Sequence, residues 1–124
     1  MPSDKKLLGA FGEDAACDYL KRKRYKIVGR NFSTRFGEID IIASNRRYIV
    51  FVEVKLRKDA SHGAAMEFVT PYKQRRVITA SEIWLSRHPS VKLQPRFDVI
   101  EVYAPEGIQT KKTEIHHIED AYQL

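Results

Sequence analysis

Cysteine is almost absent from these 124 residues, with Cys17 standing alone. A lone cysteine rules out an internal disulfide and suits a reducing cytoplasm, which is the expected location. Cys17 falls within a helical pattern and reads as a small core residue, not a nucleophile. Long apolar runs are missing too. Nothing approaches the roughly 18 consecutive apolar residues that a transmembrane helix needs, so no membrane association is expected. The opening stretch "MPSDKKLLGAFGEDAAC" starts basic, but Glu13 and Asp14 interrupt its apolar part, which argues against a signal peptide. There is no internal repeat and no low-complexity tract. The histidines His62, His88, His116 and His117 show no ligand spacing with Cys17 or with one another, and read as surface or loop residues.

What is present is a mixture of 43% hydrophobic and 31% charged residues, the balance of a soluble globular protein. The length fits one domain over residues 1–124 and leaves no room for a second. The net charge of +6 favours a polyanionic partner without identifying it.

Apolar residues Leu8, Phe11, Ala15, Tyr19 and Leu20 recur at helical spacing, predicting a helix over 7–24. Acids lie early in it, and "KRKR" at 21–24 closes it, as the helix dipole prefers. That basic run reads as a solvated helix end or as a contact for a phosphate backbone. Strands are expected at 25–32, 37–43 and 48–56, the last two joined by the polar turn "SNRR". Residues 57–68 lack any period and read as a loop. Thr70 and Pro71 then form a helix-start signal, and the helix runs to about Arg87, where "HP" stops it. Strands at 96–105 and, short and marginal, over the last twelve residues complete the order α-β-β-β-α-β-β. The expected fold is an α/β sandwich, a mixed sheet covered on both faces by helices.

The stretch "GEIDIIASNRRYIVFVEVKLR" (37–57) carries charges at the ends of two strands otherwise built for burial. Alternation puts Glu38, Asp40 and Ile42 on one face, opposite Ile39, Ile41 and Ala43. In the next strand Phe51, Glu53, Lys55 and Arg57 share a face. Two hairpin registers are open. In one, Asp40 faces Glu53, Glu38 faces Lys55, and the loop is Asn45–Tyr48; in the other, tighter by two residues, Asp40 faces Phe51 and is diagonal to Glu53. Either brings Asp40, Glu53 and Lys55 to one rim. Two close carboxylates repel, and a divalent cation removes the conflict; hard oxygen ligands suit Mg²⁺ or Mn²⁺, with water and substrate phosphate completing the shell. A metal and an amine at a strand end make a phosphodiester-cleaving arrangement. The competing reading is a salt-bridged rim, with Glu53 and Lys55 paired side by side. Asp98, in "RFDVI", joins the site or pairs with Arg96 or another base.

These residues carry a resemblance. "GEDAACDYL" (12–20), "RNF" (30–32), "GEID" (37–40), "FVEVK" (51–55), "YKQRR" (72–76), "RFDVI" (96–100) and "IHHIEDAY" (115–122) stand in an order and spacing that resemble the PD-(D/E)XK nuclease superfamily. The closer likeness is to the YraN-like family of small bacterial endonuclease-like proteins, related in fold to Holliday-junction resolvases. The resemblance implies a restriction endonuclease-like fold with a central mixed sheet. It implies that Asp40 and Glu53 are metal ligands, that Lys55 is the catalytic lysine, and that Glu13 is a first-helix acid reaching the same site. The alternative for Glu13 is a helix-start acid complementing the dipole. Lys73 and Arg76 would contact phosphate, or lie on a solvated helix face; Arg30, Arg35 and Arg57 adjoin the same rim. Ile39 stands where the superfamily has proline, and Leu56 where threonine is common.

The resulting expectation is an Mg²⁺- or Mn²⁺-dependent endonuclease acting on nucleic acid, DNA first, in branched or single-stranded form. A homodimer is the simplest way for a one-site chain to cut both strands of a branched substrate. The alternative is a non-catalytic nucleic-acid-binding or adaptor module that retains the nuclease fold.

Overall fold

A computed structural model describes residues 4–58 and 69–123. Helix α1 (Asp4–Arg22) is followed by β1 (Lys26–Thr34), β2 (Gly37–Ser44) and β3 (Tyr48–Arg57). Helix α2 (Pro71–Ser86), β4 (Gln94–Tyr103), a short 3₁₀ turn (Gly107–Gln109) and β5 (Glu114–Tyr122) complete the chain. The expected order α-β-β-β-α-β-β is the observed one. The expected loop lies mostly, and His62 entirely, outside the described residues.

The strands form one five-stranded sheet in the order β1-β2-β3-β4-β5. Only β3 and β4 run parallel, and α2 lies in the connection between them, as a parallel pair requires. Each helix covers one face. Against α2 pack Ile42, Ile49, Phe51, Phe97 and Val99, with Val77, Ala80 and Trp84 from the helix. Against α1 pack Ile41, Ala43, Val50, Val52, Ile100 and Val102, with Ala16, Cys17 and Leu20. Each of these large aliphatic side chains contributes about 1.5–3 kcal/mol by leaving water.

The stripe of α1 that touches the sheet is narrower and smaller than the apolar pattern predicts. Gly12, Ala16, Cys17 and Leu20 are innermost, while Leu8, Phe11, Ala15 and Tyr19 flank them half-buried. Small residues let the helix lie close: a Cβ on Gly12 would sit 3.4 Å from a methyl of Leu56. The helix ends where Arg24 takes a φ of 70°, and Tyr25 N then donates to Leu20 O at 2.9 Å. Thr70 caps α2 by accepting from Lys73 N at 3.1 Å, with Pro71 first in the helix. The β2–β3 turn is held by the Asn45 side chain, whose Oδ1 accepts from Arg47 N and Tyr48 N at 2.9 and 2.8 Å.

The last strand is a full one. β5 spans nine residues and pairs with β4 from Tyr103–Glu114 to Phe97–Tyr122, not as the marginal strand that its polar sequence suggests. Its stability is non-local: Tyr122 stacks on Phe97 at 5.3 Å, and Asp120 N donates to Asp98 at 3.0 Å.

Candidate active site

The β2–β3 ladder pairs Ser44 with Ile49, Ala43 with Val50, Ile42 with Phe51 and Ile41 with Val52. This is the looser of the two registers, with the Asn45–Tyr48 loop. One step further Asp40 would face Glu53, but the backbone ladder stops there. Instead Val54 N donates to Asp40 Oδ2 at 2.8 Å, so the side chain takes the role of a ladder carbonyl.

Strict alternation also lapses at this point. Ile39 packs with Ile42 against α2, where a regular strand would put them on opposite faces. On the neighbouring strand Asn31, opposite Asp40 between the Arg30–Ile41 and Phe32–Ile39 pairs, takes a φ of 51°. Glu38 is therefore not carried to the rim with Lys55. It is exposed and pairs across to Ser33 of β1.

Glu53 is buried, 6% exposed, on the α2 side. Lys55 Nζ lies 3.4 Å and Lys73 Nζ 3.8 Å from the same oxygen, Oε1. Burial pushes the Asp40 carboxyl up, the Glu53 charge pushes it further, and the result is about 7, despite the bond from Val54 N. The charge of Glu13 adds to the rise and that of Lys73 opposes it. The rim thus holds two hard oxygen donors in mutual repulsion, which is the donor chemistry that Mg²⁺ or Mn²⁺ accepts. Among the described residues no three His, Cys, Asp or Glu side chains gather as a metal-binding group. A cation here would take Asp40 and Glu53 and fill the rest of its shell with other oxygens.

The remaining expected site residues divide. Glu13, on α1, is 3.5 Å from Arg30, which also pairs with Asp14 at 2.9 Å. Arg57 is drawn to the fully buried Glu101, Nε to Oε2 at 3.2 Å, so its charge is engaged inside the sheet face. Arg35 and Arg76 lie over the rings of Phe36 and Tyr72, at 5.4 and 5.7 Å.

Asp98 does not join the rim. It is level with Val52, on the α1 face, and Arg96 grips it twice, Nε to Oδ1 at 2.9 Å and Nη2 to Oδ2 at 2.8 Å. His117 Nε2 meets Oδ2 at 2.7 Å, and its Nδ1 meets Tyr19 Oη at 3.1 Å. Arg96 also donates to Tyr25 Oη at 2.6 Å. His117 is therefore an interior residue, its side chain 6% exposed, contrary to the surface reading of the sequence. One signal could have found it: consecutive strand residues face opposite sides, so of His116 and His117 one must point inward. His88 caps α2 by contact with Trp84 O at 2.7 Å, and His116 is 3.4 Å from Glu101.

Comparison with known proteins identifies the family. The profile of the family described as "Uncharacterised protein family UPF0102" matches residues 12–102, which include Glu13, Asp40, Glu53 and Lys55. A UPF0102 protein of Geobacter sulfurreducens is 43% identical over 119 residues, covering 96% of this chain and 91% of that one. One from Caldanaerobacter subterraneus subsp. tengcongensis is 40% identical over 120 residues, covering 96% and 97%. A third, from Geobacter metallireducens, is 41% identical and covers 100% of this chain and 98% of its own. The chain belongs to the UPF0102 family, the YraN-like group related to the PD-(D/E)XK nucleases.

Proposed function

We propose that this protein is a metal-dependent endonuclease that hydrolyses phosphodiester bonds in nucleic acid, with DNA as the first substrate to test. The observation that carries the reading is the pair Asp40 and Glu53, side by side at the end of a broken ladder, with two lysines on Glu53. Hydrolysis adds water to phosphorus, breaks the bond to the leaving oxygen, and yields a phosphate monoester and a hydroxyl. Asp40 and Glu53 would hold Mg²⁺ or Mn²⁺, which when bound supplies Lewis-acid charge at the phosphate oxygens. The bond from Val54 N fixes the Asp40 carboxylate, so its orientation does not have to be found at each turnover. Lys55, held at 3.4 Å from Glu53, brings its amine to the attacked phosphate and its water. Lys73 contributes from α2, at the start of the helix, where the dipole also favours an anion. Arg35, Lys73 and Arg76 remain candidates for phosphate contact, whereas Arg30 and Arg57 are engaged by acids.

A second reading has its own observation. With Lys55 and Lys73 both leaning on Glu53, the rim is also a self-paired cluster, as a non-catalytic nucleic-acid-binding module would keep. Labelled linear, flapped, single-stranded and four-way-junction DNA, incubated with Mg²⁺, Mn²⁺ or EDTA, separates the two. Metal-dependent cleavage that Asp40→Asn and Glu53→Gln abolish supports the nuclease. Binding without cleavage of any substrate supports the module.

A further inference from the structure

Two aromatic side chains stand in water beside the rim. Phe36 is 51% and Tyr72 63% exposed, whereas the other large rings among the described residues are at least partly buried. Phe36 immediately precedes the Gly37–Asp40 segment, and Tyr72 immediately precedes Lys73, whose amine reaches Glu53 at 3.8 Å. Both are displayed on stiff supports. The Phe36 turn is pinned by Thr34 Oγ1, which accepts from Phe36 N at 3.1 Å and Gly37 N at 3.0 Å. Tyr72 lies in the first turn of the Thr70-capped helix.

The two supports touch. A Cβ on Gly37 would come within 2.3 Å of Arg76 O, so only glycine allows the β1–β2 turn to rest on α2 there. Arg76 lies one helical turn beyond Tyr72 and covers its ring at 5.7 Å, as Arg35 covers Phe36 at 5.4 Å. The surroundings are basic: residues 72–76 are "YKQRR", and the first turn of α2 holds no acid. Exposed rings set among arginines suit an occupant that offers flat apolar faces joined by anions. Bases in a duplex are stacked on one another and present only their edges. An unpaired strand presents both phosphates and π faces.

We propose that Phe36 and Tyr72 are a stacking platform for unpaired bases, which makes single-stranded nucleic acid the substrate class of the Asp40–Glu53 rim. This rests on the nucleic-acid reading above. Bases on the two rings set the backbone beside Lys73 and the carboxylates, so the strand is held by stacking on one side and by charge on the other.

The test is fluorescence anisotropy with labelled oligothymidylate and with a duplex of equal length, in EDTA so that nothing is cut. Phe36→Ala and Tyr72→Ala should each weaken single-strand binding by roughly 5- to 100-fold, and leave duplex binding within about twofold. Tyr72→Trp and Phe36→Tyr should bind as wild type, and Phe36→Leu as poorly as alanine. Melting temperatures should stay unchanged, since both rings are more exposed than buried. The proposal is overturned by alanine variants that bind like wild type, by equal losses on single strand and duplex, or by rescue with leucine. A wild-type dimer in sedimentation that the alanine changes dissolve would also overturn it, in favour of a protein interface. The two readings fail separately. Cleavage of single strands that ignores both rings sinks the platform alone; ring-dependent binding with no cleavage in Mg²⁺ or Mn²⁺ sinks the nuclease alone.

Discussion

Asp40 is half-buried and Asp98 fully buried in the same sheet, and the protein treats the two aspartates in opposite ways. Burial pushes both carboxyls up. At Asp98 this is more than offset by bonds from His117, Arg96 and Asp120 N together with the Arg96 charge, and the carboxyl is held below its usual range. At Asp40 there is one backbone bond, and the nearest strong influence is another acid, so the carboxyl rises to about 7. A buried acid whose bonds are all supplied from its own fold is spent on structure. A half-buried acid set against a second acid, with two lysines at 3.4 and 3.8 Å from its neighbour, is incomplete without something from outside.

If that contrast is right, removing the satisfied acid should do the most damage. Asp98→Ala strips the buried Arg96 of its two close carboxylate bonds, leaving it Tyr25 and a more distant Glu119 at 4.0 Å, and takes the carboxylate from His117; breaking a buried pair in this way costs about 3–5 kcal/mol. The melting temperature should fall by roughly 10 °C or more. Asp40→Asn, by contrast, should not destabilise. If the two substitutions cost the same, the distinction between them is false.

Lys55→Ala is expected to come next, and in rate more than in stability. Single-turnover cleavage should slow by about 10²-fold or more, the scale of losing one positioned group, while the melting curve barely moves. Lys55→Arg should also be slow, because a planar guanidinium does not replace a point charge. A salt-bridge role would give the reverse: arginine tolerated, and alanine costing stability.

The raised Asp40 carboxyl predicts a pH dependence of definite sign. Its folded value, about 7, lies above the 3.8 of the free side chain, so the native state binds the extra proton between those limits. Stability from this group is therefore greatest below about pH 4 and is lost as pH rises toward 7. In EDTA at pH 8, Asp40→Asn should be more stable than wild type by roughly 1–3 kcal/mol, and the difference should vanish near pH 4. Urea titrations at the two pH values measure it. A variant less stable than wild type at pH 8 would mean that Glu53 and Asp40 do not repel.

Much of this contrast is legible in the sequence. The element order follows from periodicity and capping signals, and either hairpin register brought Asp40 toward Glu53. What escaped was non-local. The lapse of alternation that packs Ile39 with Ile42 coincides with a left-handed residue, Asn31, on the neighbouring strand, and nothing in "GEID" announces it. Arg57 seemed free for phosphate until β4 brought Glu101 beside it. His117 looked superficial because the final strand is polar in sequence and is held by partners on β4 and α1. Lys73 was expected on phosphate, but its approach to Glu53 depends on how α2 crosses the sheet.

The smallest expected effect sits at the outer end of the satisfied network. Tyr19 Oη meets His117 Nδ1 at 3.1 Å, and its ring lies edge-on to the imidazole at 5.5 Å. His117 Nε2–H donates to Asp98, and Nδ1 shares a hydrogen bond with the tyrosine hydroxyl. Tyr19→Phe removes that bond and keeps the ring contact. His117 is then left with its stronger partner, the carboxylate at 2.7 Å, and Asp98 keeps both bonds to Arg96. The loss should be only about 0.5–1.5 kcal/mol, the net worth of one neutral hydrogen bond. Urea titration of Tyr19→Phe, Asp98→Ala and the double variant measures both the step and its coupling. In the double variant the tyrosine change should cost less than it does alone, because His117 has already lost the partner that orients it. If Tyr19→Phe alone costs as much as Asp98→Ala, the bonds around Asp98 act as one unit, and the acid is not the member that holds them together.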